Sequence, residues 1–447
     1  MTSASKVASP VRRLALLATL ASSLWLAACG GGGGDSGGNS NVRAINLTTD
    51  LPSADIYIGG NKQFPALATD TLASNVSVVA NTYTVDVKSP VDNAALFTSQ
   101  YSLAKDQNYT AVVWGRQASL HVSTIGETED PANIAAGNTR IRMFNATIDS
   151  GTVDVYVTLS TVDLNDVPPT QGTLTAGTLA GFRELTAGTY RVRVTGPGDP
   201  SDVRLDIPAL TLTSKQFHTL VLTQSGAGGV LLNGTLIAQQ AAKTTAKNTK
   251  ARVRLAASVT NGGLVSATIA GSSVFSNYRS PRVLGTGGYA QVEGGNVNVT
   301  VTVNGTSVSN QTRTLTTGSD YTLMAYGPDT AALVTLIPDD NRLPSTTTRA
   351  KLRLVNGLNR GDLTSILLDS QSFAQTSDIA LGATSAYASV TAAGSAQIQV
   401  TSSVVSDPLF SQTVASTAQT LLAAQGVYTV FILDGQTNPA GRLTKDR

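Results

Sequence analysis

One short strand pattern, written four times at domain-sized spacing, constrains this chain more than any other feature. It reads Val42-Arg43-Ala44-Ile45-Asn46, Ile141-Arg142-Met143-Phe144-Asn145, Val253-Arg254-Leu255-Ala256-Ala257 and Leu352-Arg353-Leu354-Val355-Asn356. Each copy is an apolar strand pattern with Arg at its second position, and three of the four end on Asn. The arginines are 99, 112 and 99 residues apart. A solenoid repeat is much shorter, so each copy is predicted to open its own small domain.

Three further landmarks recur in register. Nine residues after each opening motif come Asp55, Asp154, Ser266 and Ser365. Each is followed by an alternating strand whose inward residues are Ile56 and Ile58, Val155 and Val157, Ala267 and Ile269, and Ile366 and Leu368. A middle strand alternates strictly, with Val85, Val192, Val299 and Ile398 inward and Thr84, Arg191, Asn298 and Gln397 outward. Only a strand uses a period of two. Near the end of each repeat lies a strand apolar on both faces, 109–114, 218–223, 321–326 and 428–433, which places it at the centre of a sheet.

Only four glutamates occur, and β-branched residues are abundant, so the fold class is all-β. About seven strands per ~100 residues, with turn signals between them, predict four tandem β-sandwiches of immunoglobulin or prealbumin type. The boundaries read as 42–137, 138–237, 251–345 and 348–447, with 238–250 the loosest linker.

The N-terminus fixes location. Lys6, Arg12 and Arg13 precede a short apolar run that ends in Leu26-Ala27-Ala28-Cys29. These four residues resemble the lipobox of bacterial lipoproteins. The resemblance implies that residues 1–28 are a signal peptide and that Cys29 is acylated, anchoring the chain to a lipid bilayer. A multiply acylated cysteine is a lasting anchor. Cys29 is the only cysteine, and the Gly-rich stretch 30–41 after it reads as a flexible tether. Gly30 stands where an Asp would resemble an inner-membrane retention signal, which favours the outer membrane. Removing the signal takes away three basic residues, so the net charge of +2 becomes −1. No basic field remains to hold nucleic acid.

The series Val-Arg-x-x-Asn, then Val-Asp-Val-Tyr-Val (153–157), Ala-Gly-Thr-Tyr (187–190) and Asp-Tyr-Thr-Leu-Met-Ala-Tyr-Gly (320–327) resembles domain-of-unknown-function family 4397. The resemblance implies a β-sandwich, commonly in tandem in bacterial envelope proteins, and implies no biochemical activity. Repeats three and four depart from it in carrying Ser266 and Ser365 in place of the Asp.

The repeated Arg admits two readings: an anion site present in four copies, or a structural ion pair. The second pairs Arg43 with Asp55 and Arg142 with Asp154, fixing register. Asp339-Asp340-Asn341 and the group Asp199, Asp202, Asp206 offer oxygen ligands, but neither matches a calcium motif and both read as solvated turns. His121 and His218 lie in strand patterns, and His218 replaces a Tyr of the other repeats, which marks a packing position. No Gly-x-Ser-x-Gly stands on a strand-to-helix turn as a nucleophile elbow would, and there is no phosphate loop, so no catalytic residue, metal or cofactor is assigned. Trp114 reads as core rather than as a sugar platform. The sequence therefore describes a non-catalytic, membrane-anchored envelope lipoprotein, a structural stalk or adhesive array with an unidentified polymer or protein partner. The alternatives are a periplasmic or surface glycan-binding protein and, behind it, a cryptic hydrolase. Two rigid pairs, 42–237 and 251–435, are expected rather than four equivalent beads.

Overall fold

The structure is a computed structural model that describes residues 38–415, 422–435 and 438–447. The signal segment 1–28, Leu26, Ala27, Ala28, Cys29 and most of the tether lie outside the described residues.

Each repeat is two sheets closed over an apolar core. In repeat one the opening strand, Asn39–Thr48, runs parallel to the penultimate strand, Asn108–Arg116. Ser119–Gly126 pairs on the far side of the penultimate strand, and Thr71–Leu72 and Val76–Val79 pair with the opening strand. The second sheet has the order Asn61–Ala68, Ser53–Ile58, Asn81–Lys88, Ala95–Leu103. The later repeats keep this plan. Their opening strands Asn138–Ala146, Lys250–Val259 and Arg349–Gly357 lie parallel to Phe217–Gln224, Asp320–Gly327 and Val427–Leu433. A parallel pair cannot be closed by a hairpin, so the chain between the two strands builds the whole second sheet before it returns.

Strict alternation places the cores. Val85, Val192, Val299 and Ile398 are buried while Thr84, Asn298 and Gln397 are exposed, so the middle strands keep the predicted register. Each repeat has its own cluster, represented by Val87, Val194, Val301 and Val400.

The penultimate strands are apolar on both faces for a reason beyond their central position. In repeat one, Ala111 and Val113 point into the sandwich core, whereas Val112 and Trp114 point out of it. That outward face does not meet water. Ile45, Leu47, Val112 and Trp114 form a further core with Phe144, Ala146, Val221 and Ile237 of repeat two. Ala256, Met324 and Ile337 of repeat three do the same with Val355, Phe431 and Leu433 of repeat four. The repeats thus join in pairs, one–two and three–four, through the sheets that carry the opening motif. Each pair is a stack of four sheets with three apolar layers.

Two sequence expectations are corrected. The opening strand begins at Asn39, within the expected tether, because residues 39–42 pair with Val76–Val79. The supposedly loose linker 238–250 contains the strand Lys243–Ala246, which pairs with Leu232–Ala238. The two pairs are also tied together. Leu343 donates its N–H to Asp149 at 2.7 Å and accepts from Arg116 at 3.0 Å, which docks the chain between repeats three and four on repeats one and two. Gly228 N–H reaches Gly318 O at 3.1 Å. A Cβ on Gly318 would lie 2.3 Å from Ser225 Oγ, so this approach requires glycine. These contacts tie the two expected pairs to each other.

Candidate functional site

The recurring Arg sits in an apolar strand with its side chain on the paired face. It therefore has to satisfy a buried guanidinium, and each repeat solves this alike. The Arg Nε donates to a Thr Oγ1 on the penultimate strand: Arg43 to Thr110 at 2.9 Å, Arg142 to Thr219 at 3.1 Å, Arg254 to Thr322 at 2.8 Å and Arg353 to Thr429 at 3.0 Å. Across the sheet those threonines face Ile125, Ile237, Ile337 and Thr444. Two residues beyond each lies Glu127, Gln239, Asp339 or Asp446. This position is thus a carboxylate in three repeats and an amide in repeat two.

In the three–four pair the arginines exchange partners across the seam. Arg254 of repeat three donates to Asp446 of repeat four, and Arg353 of repeat four donates to Asp339 of repeat three. Thr322 Oγ1 donates to Asp339 Oδ2 at 2.7 Å, and Thr429 donates to Asp446. Both arginines are essentially unexposed. Burial opposes the charge on Arg254, but Asp446 and Asp339 outweigh it and hold the guanidinium protonated well above its ordinary range. Asp339 also accepts from Tyr289 OH at 2.6 Å, and the Tyr289 ring lies 4.8 and 4.9 Å from the Arg252 and Arg254 guanidiniums.

The one–two seam is less symmetric, as Gln239 predicts. Arg43 pairs with Glu127 of its own repeat at 2.6 Å and crosses to Ala238 O and Ala241 O of repeat two. Arg142 crosses to Gly126 O of repeat one at 2.7 Å and lies 4.3 Å from the Phe182 ring. Burial pulls the Arg142 pKa down, with Glu129 and Glu127 pulling the other way.

The predicted pairs Arg43–Asp55 and Arg142–Asp154 are therefore wrong. Asp55 and Asp154 lie near the start of the second-sheet strands Ser53–Ile58 and Val153–Thr158, not at the seam. Asp55 binds Lys62 at 2.5 Å and Ala66 N at 2.7 Å, and those bonds lower its pKa. Asp154 accepts from Thr173 N at 2.7 Å and Gly198 N at 2.8 Å. Asp339 is no solvated turn either, because it closes the seam. Among the described residues no group of His, Cys, Asp or Glu could hold a metal ion.

Other landmarks find their purpose here. Asn46, Asn145 and Asn356 are buried and donate to the carbonyls of Leu67, Leu174 and Ile379. Tyr109, Tyr321 and Tyr428 accept from the backbone N–H five residues upstream, at 3.2, 2.9 and 2.8 Å, in the manner of a tyrosine corner. His218 takes the same position, with Nε2 3.4 Å from Thr213 Oγ1, also five residues upstream. Trp114 is buried in the one–two seam, stacked on His121 with centroids 4.5 Å apart, and Nε1 donates to Ser123 at 3.0 Å.

Beside the three–four seam, where repeat two meets it, opens a cleft of about 820 Å³. Its walls include Asp199, Asp202, Arg204, Arg252, Tyr289 and Arg447. Arg204 is held by Asp202 at 2.7 Å, and Arg252 by Asp320 at 2.5 Å. Arg447 Nη1 is buried without a hydrogen-bond partner, and burial with the nearby Arg204 brings its pKa down to about 10. A general acid needs a carboxyl raised towards neutrality. Asp199 is instead lowered by its bonds from Ser201. The cleft is lined mainly by polar and charged side chains.

A family model described as "Domain of unknown function" matches residues 40–156 and 251–364, together just over half of the chain. The chain belongs to the DUF4397 family. The two matches begin at the opening strands of repeats one and three, the first member of each pair. Among solved structures, a DUF4397 chain of this kind is similar to the carbohydrate-binding module CBMbc (family CBM26) of Eubacterium rectale Amy13K, in complex with maltoheptaose. The identity is 14%, over 46% of this chain and 97% of that one, with a TM-score of 0.16. It is also similar to a candidate cell adhesion protein from Bacteroides uniformis ATCC 8492, at 13% identity over 46% and 99% of the two chains, TM-score 0.18. A corresponding protein from Bacteroides ovatus ATCC 8483 gives 14%, 46% and 98%, TM-score 0.18. Superpositions at these scores are partial and say nothing of activity. No curated protein matches the chain.

Proposed function

We propose that this DUF4397 protein is a non-catalytic envelope lipoprotein, anchored through acylated Cys29, that presents a rigid adhesive or interaction module. The observation that carries the reading is the use of its charged groups. The repeated arginines and their carboxylates are buried in seams that weld repeats together, not gathered in a reactive pocket. A body built this way holds surfaces in fixed relation to one another. The lipobox-like Leu26-Ala27-Ala28-Cys29 and the Gly-rich residues after it would hold it to the outer membrane. No helix among the described residues is long and apolar enough to cross a membrane. The test is palmitate labelling and cell fractionation of the wild type and Cys29→Ala. Wild type should label and stay with the outer membrane, while the variant should keep its signal and remain unlabelled. A labelled variant running at the mature mass would refute the anchor. Added protease on intact cells then separates surface from periplasmic presentation.

The cleft favours glycan binding as the second reading, because it lies between repeats and is lined by charged and hydroxyl side chains. Gln291→Trp would fill its mouth. Loss of glycan-array binding without loss of melting temperature supports that reading, and undiminished binding removes the cleft from it.

A further inference from the structure

A second groove, of about 800 Å³, runs along the rim of the three–four seam. Arg279 and Arg282 of repeat three stand on one side, and Arg442 of repeat four stands on the other. Pro281, Val283 and Ala440 line it between them, the last two packed against the buried seam. All three arginines are exposed, and among the described residues no carboxylate lines the groove. That contrasts with the cleft, where Asp199, Asp202 and Asp446 balance the guanidiniums.

The fold does not require these charges. Arg442 lies opposite Phe431 in the sheet, and the register equivalents in the other repeats are Ser123, Thr235 and Thr335. Arg282 lies opposite Ala257, where repeat one pairs Asn46 with Thr71. Arg442 therefore stands where the other repeats carry hydroxyls and Arg282 where repeat one carries Thr71, one on each side of the same groove. The rest of the mature chain carries a net negative charge, so the cluster is local and no part of a general basic field.

We propose that this groove binds an acidic polysaccharide, with its carboxylates or sulfates on Arg279, Arg282 and Arg442 and its sugar C–H faces on Pro281, Val283 and Ala440. The assignment rests on the reading of the protein as an interaction module and names a ligand class for it. Guanidinium forks match oxyanions in a planar, two-bonded geometry, which favours carboxylate and sulfate groups over neutral sugar hydroxyls. An inorganic anion has no use for the apolar floor. A bilayer surface is flat and cannot fill a groove whose charges stand on both rims. Arg282 lies 5.1 Å from the Tyr278 ring and Arg279 donates to Gly262 O at 3.2 Å, so two of the three guanidiniums are held in place before any ligand arrives.

The test uses the whole protein in detergent, with labelled oligogalacturonate as probe and neutral dextran oligosaccharide as control. Oligogalacturonate should bind, more weakly as sodium chloride rises, and dextran should not. Each single Arg→Gln should lower the affinity about tenfold, since it removes a charge-assisted contact. R279Q/R282Q/R442Q should abolish binding at an unchanged melting temperature, and the triple Lys variant should keep part of it. Undetectable binding, equal binding of dextran, or full binding by the triple Gln variant overturns the proposal. Binding to anionic lipid vesicles without binding to oligogalacturonate overturns it as well, in favour of membrane contact. None of these results bears on palmitate labelling at Cys29, so the anchor stands or falls separately.

Discussion

Arg353→Met is the sharpest perturbation of the ionic seam. The wild-type guanidinium is 2% exposed and donates to Thr429 Oγ1, to Pro338 O at 3.0 Å and to Asp339. Methionine matches much of its volume but none of its bonds. Asp339 would keep Tyr289, Thr322 and Arg254 at 3.4 Å, while losing its nearest cation. Removing one partner of a buried pair costs about 3–5 kcal/mol, because the other charge stays buried. With a urea m-value of about 2 kcal/mol/M, the midpoint of the affected unit should fall by roughly 2 M. The assay has a built-in control. In a chain that starts at residue 38 Trp114 is the sole tryptophan, and it is buried in the one–two seam. Far-UV circular dichroism reports all four repeats, whereas tryptophan fluorescence reports repeats one and two. Arg353→Met should split the dichroism transition, with one phase moving to low urea and the fluorescence midpoint staying put. A loss below about 1 kcal/mol would show that the buried pair is not stabilising the seam. Equal displacement of both signals would show that the two pairs do not unfold separately.

Three other outcomes follow from the structure. Val299→Ala should cost about 1–3 kcal/mol and Asn298→Ala less than about half a kcal/mol in denaturant melts, because one side chain fills the core and its neighbour faces solvent. Burial pushes the Lys351 ammonium down to about 8, despite Asp340 at 3.3 Å. The unfolded chain keeps that proton to about pH 10.4, so stability from this group rises with pH between those values and is flat outside them. Lys351→Met should be more stable than wild type at pH 7 by up to about 3 kcal/mol, and that advantage should shrink by pH 9.5. Gly318→Ala should loosen the junction of repeats two and three, where a Cβ meets Ser225, and should raise protease cleavage there without lowering the Trp114 transition.

The sandwiches were legible because a period of two leaves no freedom: Val85, Val192, Val299 and Ile398 could face only the core. The pairing of repeats was half legible. Val112 and Val221 announced a second apolar face, but a sheet centre and a seam give the same pattern when each repeat is read alone. The partners of the arginines were misread because Asp55 and Asp154 recur at fixed distance from Arg43 and Arg142, and sequence proximity suggested contact. The true carboxylate partners sit at or just past the end of a last strand, 84 and 192 residues beyond Arg43 and Arg254 and 14 before Arg353. A signal for them did exist. Thr110, Thr219, Thr322 and Thr429 follow the aromatic or His of each penultimate strand, and three carboxylates lie 17 residues beyond their threonines. The rim arginines had no such signal, since they are departures from the repeat rather than part of it.

The most direct test of the account is to compare residues 348–447, repeat four alone, with residues 250–447, the complete second pair. Isolation would expose Val355, Phe431 and Leu433 and leave Arg353 without Asp339 and Asp446 without Arg254. Each large apolar side chain brought back to water costs about 1.5–3 kcal/mol, before the ionic bonds are counted. The pair should be a monomer with one cooperative melt, whereas repeat four alone should be unfolded, aggregated or self-associated through the same face. An isolated repeat four that is monomeric and melts at the temperature of the pair would contradict the account.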